Sequence, residues 1–256
     1  MDFTELENDE PENSGLRLVS DNDNPEHLPA LEKQFVNFMF LRVNPDWRKL
    51  NLETKRVFKS EFLKVFGEFE KDLLLFTYSL VGFDSKADLM IWRVGSSLDS
   101  IQDMTAKLYR TNLGSFLETV DNYLSVTDKM MFVKKEVPVT TEDRFHVAAG
   151  EKKYHFLYPC AKHSDWYSKT DEEREELIKE NFMVGKKFEN IKIHMTNAFG
   201  FSEQEYLISF ETDEPKDFLA LAEELRQTPA SRFTLRGMPI YTCRLRTLND
   251  CLDSLG

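Results

Sequence analysis

The sequence predicts an α+β fold built from two tandem copies of one unit. The first observation is an internal repeat with a shift of 118 positions, which pairs residues 80–83 with 198–201 and residues 87–92 with 205–210. The second is that Asp46-Trp47 recurs as Asp165-Trp166 after a shift of 119. The third is that both copies show the same order of apolar patterns: strand, helix, two strands, helix, strand. Together these indicate a duplicated unit of about a hundred residues.

The first copy contains four predicted strands and two predicted helices. Residues 35–43 are nearly all apolar, which is typical of a buried strand. In residues 51–69 phenylalanines recur at helical spacing, so this segment is predicted to be a helix with one buried face. Gly82 marks the turn between the next two strands. The remaining predicted elements are strands at 73–81, 88–94 and 117–127, and a helix that buries Leu98, Ile101, Met104 and Leu108.

The second copy follows the same order. Thr170 and Glu173 form a predicted capping box at the start of its first helix, and Pro215 fits the first turn of its second helix. The predicted strands are 153–160, 190–199, 206–210 and 232–243. Each copy therefore predicts a ferredoxin-like β-α-β-β-α-β half, at 33–127 and 153–247, joined by a polar linker at 128–152. The competing single α/β sheet lacks the Gly-rich strand-to-helix turns that it usually needs.

Composition and charge restrict the classes of partner. The chain has 256 residues, 41% of them hydrophobic, and a net charge of −12. Nine acidic residues and one basic residue within 1–28 predict a disordered acidic tail. The absence of a basic stripe argues against nucleic acid and anionic membranes, and no apolar run reaches the roughly 18 residues of a membrane-spanning helix. Three cysteines without a CxxC motif favour the reducing cytoplasm.

Two places in the second copy carry side chains that could bind a ligand or take part in a reaction. Tyr158 and Lys162 end its first strand, where a phenol and an ammonium could contact an anionic ligand or a reacting centre. The alternative is a strand-end tyrosine with a solvated lysine. His194 lies in a predicted strand, where alternation places it on the same side as Lys192. It is either a packed strand histidine or a ligand to a metal or substrate.

The second copy closely resembles the chlorite dismutase family, which includes the bacterial coproheme decarboxylases. The residues that carry the resemblance are 158–162, 165–167, 172–177, 184–186, 199–201, 210–213 and 230–233, together with 38–41, 46–48 and 78–82 in the first copy. It covers residues 33–247. The resemblance implies a dimeric α+β barrel, a ring-shaped homopentamer, and haem or coproheme bound in the second half.

The resemblance also implies roles for individual residues. The proximal iron ligand of the family, a histidine, corresponds to Asn181, and the glutamate that supports it in chlorite dismutases corresponds to Ala230. A carboxamide is a poor iron ligand beside an imidazole. The distal residue corresponds to His194, a candidate iron ligand or distal acid/base. The reactive tyrosine of the decarboxylases corresponds to Tyr158, and a nearby lysine to Lys162.

Two functions are therefore expected from the sequence. The first is a haem- or porphyrin-binding protein with peroxidase-type oxidoreductase activity on a small oxidant. Its pocket would lie between Asn181, His194, Tyr158 and Lys162, with His194 as the metal ligand or catalytic base. The second is a haem-free homo-oligomeric scaffold that binds a partner. The loss of the family histidine at Asn181 favours the scaffold, whereas Tyr158, Lys162 and His194 favour the haem protein.

Overall fold

The computed structural model describes residues 33–127, 150–235 and 239–256. The predicted acidic tail at 1–28 and most of the predicted linker lie outside the described residues. None of the helices described is both long enough and apolar enough to cross a membrane.

The secondary structure follows the predicted order in both halves. The first half contains β1 (Phe35–Val43), α1 (Leu52–Gly67), β2 (Leu74–Ser79), β3 (Leu89–Gly95), α2 (Leu98–Arg110) and β4 (Leu117–Val126). The second contains β5 (Tyr154–Cys160), the short α3 (Ser164–Tyr167), α4 (Asp171–Lys186), β6 (Lys192–Asn197), β7 (Tyr206–Thr212), α5 (Pro215–Gln227) and β8 (Tyr241–Leu245). A further helix, α6 (Leu248–Asp253), follows β8.

The eight strands form one closed barrel in the order β1-β3-β2-β8-β5-β7-β6-β4. Each half contributes four antiparallel strands in the ferredoxin-like order, β4-β1-β3-β2 and β8-β5-β7-β6, so the predicted fold class is confirmed. The two junctions between the halves are short. β2 pairs with β8 at Tyr78–Leu245 and Ser79–Arg244, and β4 pairs with β6 at Val126–Asn197.

Three apolar clusters hold the barrel and its helices together, because successive strand residues point to opposite faces. The barrel interior buries Val36, Phe38, Phe40, Tyr78, Met90, Trp92, Tyr123, Leu157, Leu207 and Tyr241. A second cluster lies between the outer face of the first sheet and α1, α2 and α6. A third, smaller cluster lies on the outer face of the second sheet and contains Phe156, Ile191, Phe210 and Leu221.

The features that open the first helix of each half are equivalent. Trp47 and Trp166 are both buried, with 0% and 1% of their surface exposed. The side chain of Asn51 caps α1, and the side chain of Thr170 caps α4. Thr170 and Glu173 form the predicted capping box, which is confirmed.

The repeat differs from its predicted spacing at the third strand of each half. Met90 and Leu207 both face the barrel interior, whereas Ile91 and Ile208 both face the helices. These pairs are 117 positions apart, not 118. β7 begins six residues after Gly200, whereas β3 begins seven residues after Gly82, and a one-residue change reverses the face of every side chain in a strand.

The C-terminal region also departs from the sequence prediction. The strand predicted at 232–243 is the shorter β8, and Pro229–Phe233 form a 3-10 helix before it. Pro229 favours this turn because its ring fixes the φ angle and removes a backbone donor. The unpredicted α6 buries Leu248, Cys251 and Leu252 in the cluster of the first half.

Candidate functional site

The interface between α4 and the second sheet differs in composition from its counterpart in the first half. In α1, Phe62 and Phe66 are buried beneath the helix, with 1% and 7% of their surface exposed. The shift of 119 that relates the two tryptophans places Asn181 and Gly185 at the equivalent positions of α4. No described residue of α4 is fully buried. Two large aromatic side chains of the first half are thus replaced by a carboxamide and a hydrogen atom.

Asn181 lies on the face of α4 that is directed toward the sheet. Val184, three residues later, packs against the third apolar cluster, and residues at this spacing share one helix face. The Oδ1 atom of Asn181 is buried and has no hydrogen-bond partner. Because an unpaired buried acceptor is costly, this atom is a candidate contact for a polar group of a ligand.

Tyr158 lies on the sheet wall of the same interface. It is half-buried and packs with Phe156 against the third cluster. On β6, Ile193 projects toward α4, because a Cβ atom placed on Gly185 would lie 3.4 Å from its Cδ1. Met195 occupies the same face of β6, two residues along. Tyr158 and Asn181 therefore lie on opposite walls of one helix–sheet layer.

Lys162 is held at the end of β5, at the edge of this layer. Its Nζ donates to Oγ1 of Thr234 at 2.9 Å and lies 4.8 Å from the centre of the Trp166 ring. Its backbone N–H donates to the carboxylate of Glu205 at 2.8 Å. Burial lowers the pKa of the Lys162 ammonium, and the nearby Cys160 and Glu205 oppose that shift. These contacts give Lys162 a structural role in joining β5 to the segment before β8.

The structure does not bring His194 together with the other three predicted site residues. Its Nε2 lies 3.6 Å from Oε2 of Glu211, and its ring lies 6.3 Å from that of Trp92, edge to face. Trp92 belongs to the interior cluster, so His194 projects into the barrel, away from α4. If the register of β6 in the sheet differed by one residue, the His194 side chain would lie on the opposite face. Among the described residues, no cluster of three histidine, cysteine or acidic side chains is arranged to hold a metal ion.

His194 instead belongs to a buried polar network that spans both halves. Oε1 of Glu211 accepts hydrogen bonds from the Tyr78 hydroxyl at 3.1 Å and from the Gly150 N–H at 3.0 Å. Burial acts to raise the pKa of Glu211, but His194, His155 and the Gly150 N–H outweigh it and lower the pKa. Burial also raises the pKa of Tyr78, reinforced by the charge of Glu211.

His155 is buried beside this network. None of its surface is exposed, its ring stacks on those of Phe38 and Trp92, and neither ring nitrogen has a hydrogen-bond partner. Burial lowers its pKa to about 4, against the opposing charge of Glu211. Sequence reasoning missed His155 and Glu211. The available signal was a polar side chain at inward positions of two otherwise apolar strands.

The fold and this site define a class of protein: a two-half α+β barrel whose second half has an interface between helix and sheet without a fully buried residue on the helix. Residues 55–246 match the family model described as Chlorite dismutase. The chain therefore belongs to the chlorite dismutase family, as the sequence resemblance predicts.

Individual relatives are distant in sequence but close in fold. The coproheme decarboxylase of Mycolicibacterium smegmatis is 27% identical over 168 residues, which covers 64% of this chain and 70% of that protein. The chlorite dismutase of Ideonella dechloratans is 20% identical over 226 residues, covering 86% of this chain and 79% of that one. A solved structure of chlorite dismutase from Candidatus Nitrospira defluvii superposes with a TM-score of 0.80 at 22% identity, over 87% of this chain and 94% of that one.

The residues of the α4 interface can contact the macrocycle of a haem but do not supply an axial ligand for its iron. Ile208 and Val184 offer apolar contacts to a flat macrocycle, and Gly185 carries no side chain where the first half has Phe66. Asn181 supplies no imidazole, and a carboxamide is not among the usual axial ligands of haem iron. Ala230 is fully buried and cannot orient a ligand as a carboxylate would. A histidine-ligated iron does not fit this site.

Proposed function

We propose that this protein binds a tetrapyrrole between α4 and the outer face of the second sheet, without a histidine ligand on the metal. The observation that carries the proposal is the replacement of Phe62 and Phe66 in the first half by Asn181 and Gly185 in the second. Membership of the chlorite dismutase family supports the choice of ligand, because coproheme decarboxylase and chlorite dismutase are among the relatives.

The chain's own residues contribute binding and orientation. The apolar side chains of the third cluster cover one face of the ring and exclude water from it. The unpaired Oδ1 of Asn181 accepts a hydrogen bond from a ring N–H, which a metal-free porphyrin has and haem lacks. Tyr158, a predicted catalytic group, lies on the opposite wall of this layer. Lys162 remains engaged with Thr234 and Trp166 at the edge.

The test is a titration of the purified protein with metal-free coproporphyrin and, separately, with haem, followed by the Soret absorbance. We expect saturable binding of the metal-free ring and no spectrum of histidine-ligated iron with haem. Gly185→Phe, which restores the bulk found at Phe66, should abolish binding of both. Leu219→Phe on the exposed side of α5 is the matched control and should bind normally.

Two further variants separate the predicted roles. Asn181→His should strengthen haem binding and produce a histidine-ligated Soret band, while leaving the metal-free ring no better bound. His194→Ala should leave the binding of both rings unchanged, because the side chain projects into the barrel. Loss of haem binding in His194→Ala would instead support the role of His194 as the iron ligand.

The alternatives from the sequence remain as competing outcomes. Peroxidase-type turnover of a small oxidant requires a proton-transfer group beside the metal, and the position of His194 on the other sheet face weighs against this activity. A haem-free oligomeric scaffold is favoured by Asn181 and Ala230. If neither ring binds to the wild-type protein nor to Asn181→His, the tetrapyrrole proposal fails and the scaffold is the better description.

A further inference from the structure

We propose a second ligand site in the first half, which accepts an amphipathic carboxylate, such as the anion of a medium-chain fatty acid. The site is a cavity of about 870 Å³ between α1, the end of β2, and the connection from β8 to α6. Leu63, Phe66 and Leu75 supply apolar lining. The volume lies within the range of small-molecule sites, roughly 300–1,000 Å³. This inference is independent of the proposed tetrapyrrole site.

Two arginines give the cavity its polar recognition. Arg244 and Arg246 both line it. Arg244 lies in β8 next to Cys243, which faces the barrel interior, so Arg244 lies on the outer face. Arg246 directly follows the end of the strand. Both are half-buried. Within the three described segments, neither guanidinium has an ion pair or a side-chain hydrogen bond. A guanidinium pairs with a carboxylate through two parallel hydrogen bonds, which favours an anionic headgroup over a neutral one.

The acidic residues of the lining do not neutralise the two arginines in place of a ligand carboxylate. Glu70 and Asp250 also border the cavity, but both are exposed, so water solvates their charges. The arginines are half-buried, so a ligand carboxylate that reaches them meets less competition from water. The arrangement therefore suits a ligand whose apolar chain contacts Leu63, Leu75 and Phe66 while its carboxylate reaches Arg244 and Arg246.

Decanoate, below its micelle concentration, is the probe for isothermal titration calorimetry on the full chain. We expect saturable binding with one equivalent, and much weaker binding of the cation decyltrimethylammonium. The double variant Arg244→Gln/Arg246→Gln should lose about tenfold or more in decanoate affinity and gain no affinity for the cation. Arg110→Gln, which changes an exposed arginine of α2, is the matched control and should bind decanoate normally.

A second pair of variants keeps the test decisive if the double variant does not fold. Leu75→Trp narrows the cavity and should reduce decanoate binding, whereas Gly185→Phe, which blocks the tetrapyrrole site, should leave it unchanged. Equal affinity for decanoate in the wild type and the arginine variant overturns the proposal. Tight binding of the cation, or an absence of saturable binding, overturns it as well.

Discussion

At the scale of single residues, His155 makes the stability of the protein depend on pH. Its ring is fully buried among Phe38, Trp92 and Tyr78, and burial lowers its pKa to about 4 from 6.5. Between these two values the unfolded chain binds a proton that the folded chain excludes. The free energy of unfolding is therefore unaffected by His155 above pH 6.5. As the pH falls from 6.5 toward 4, proton binding by the unfolded chain lowers the free energy of unfolding by roughly 3 kcal/mol.

The substitution His155→Phe removes this proton and keeps an aromatic ring in the stack. We expect the free energy of unfolding of the variant to fall less steeply between pH 6.5 and pH 4 than that of the wild type. Urea unfolding at a series of pH values measures the slope. His163→Gln, at an exposed histidine, should retain the wild-type slope. Identical slopes in wild type and His155→Phe would show that His155 does not cause the dependence.

Residue roles could be predicted only where they depend on residue type and not on orientation. The absence of a usual iron ligand at Asn181 is evident from the sequence because it depends on the identity of one side chain. The position of His194 depends on which face of β6 it occupies, and sequence alternation relates it to Lys192 but not to the barrel interior. Its partner Glu211 lies in another strand, so only the strand register brings the two together.

At the scale of elements, α4 depends on its N-terminal cap more than α1 does. The Oγ1 atom of Thr170 accepts from the Glu173 N–H, and the Glu173 carboxylate accepts from the Thr170 N–H. Thr170→Ala should destabilise the helix by about 1 kcal/mol. Because α4 has no fully buried side chain to compensate, we expect faster hydrogen exchange throughout the helix.

The matched variant for this comparison is Asn51→Ala, which removes the equivalent cap of α1. The buried Phe62 and Phe66 should confine its effect to the first turn of α1. Hydrogen exchange followed by mass spectrometry reports on both helices in the same sample. Equal spreading of exchange through α1 and α4 would contradict the proposed difference in packing.

The C-terminal helix α6 stabilises the first half by apolar contacts. Leu252 is fully buried in the cluster beneath α1 and α2, so Leu252→Ala should cost about 2–5 kcal/mol in the free energy of unfolding. Leu219→Ala, at a leucine of α5 that is 60% exposed, should change it by less than about 0.5 kcal/mol. Urea unfolding measures both. A small effect at Leu252 would mean that α6 is only loosely attached.

The order of strands and helices was accessible from the sequence because each element carries its own apolar period, as at β1 and α1. Closure into a barrel follows from the duplication, since each half has one face left to bury. The helix α6 was missed because it lies outside the repeat. The start of β8 was misplaced because Pro229–Phe233 combine apolar residues with a turn that interrupts the strand pattern.

At the scale of the whole molecule, the family resemblance predicts a homopentamer. Large apolar side chains remain exposed at the two equivalent hairpin turns, at Val81 and Phe83 and at Phe199 and Phe201, and such side chains favour association. Multi-angle light scattering should give the mass of five copies of a 30.0 kDa chain. A mass of one chain would reject the prediction. In that case Phe199→Ser should leave the measured mass unchanged.

The packing of α6 on the first half has a consequence for synthesis on the ribosome. About 120 residues separate the end of β4 from the start of α6, which takes roughly 6–24 s at typical rates of translation. Throughout that interval the nascent first half lacks the side chains that complete its outer core. We therefore expect the outer core of the first half to reach its final packing only after the second half and α6 have been synthesised.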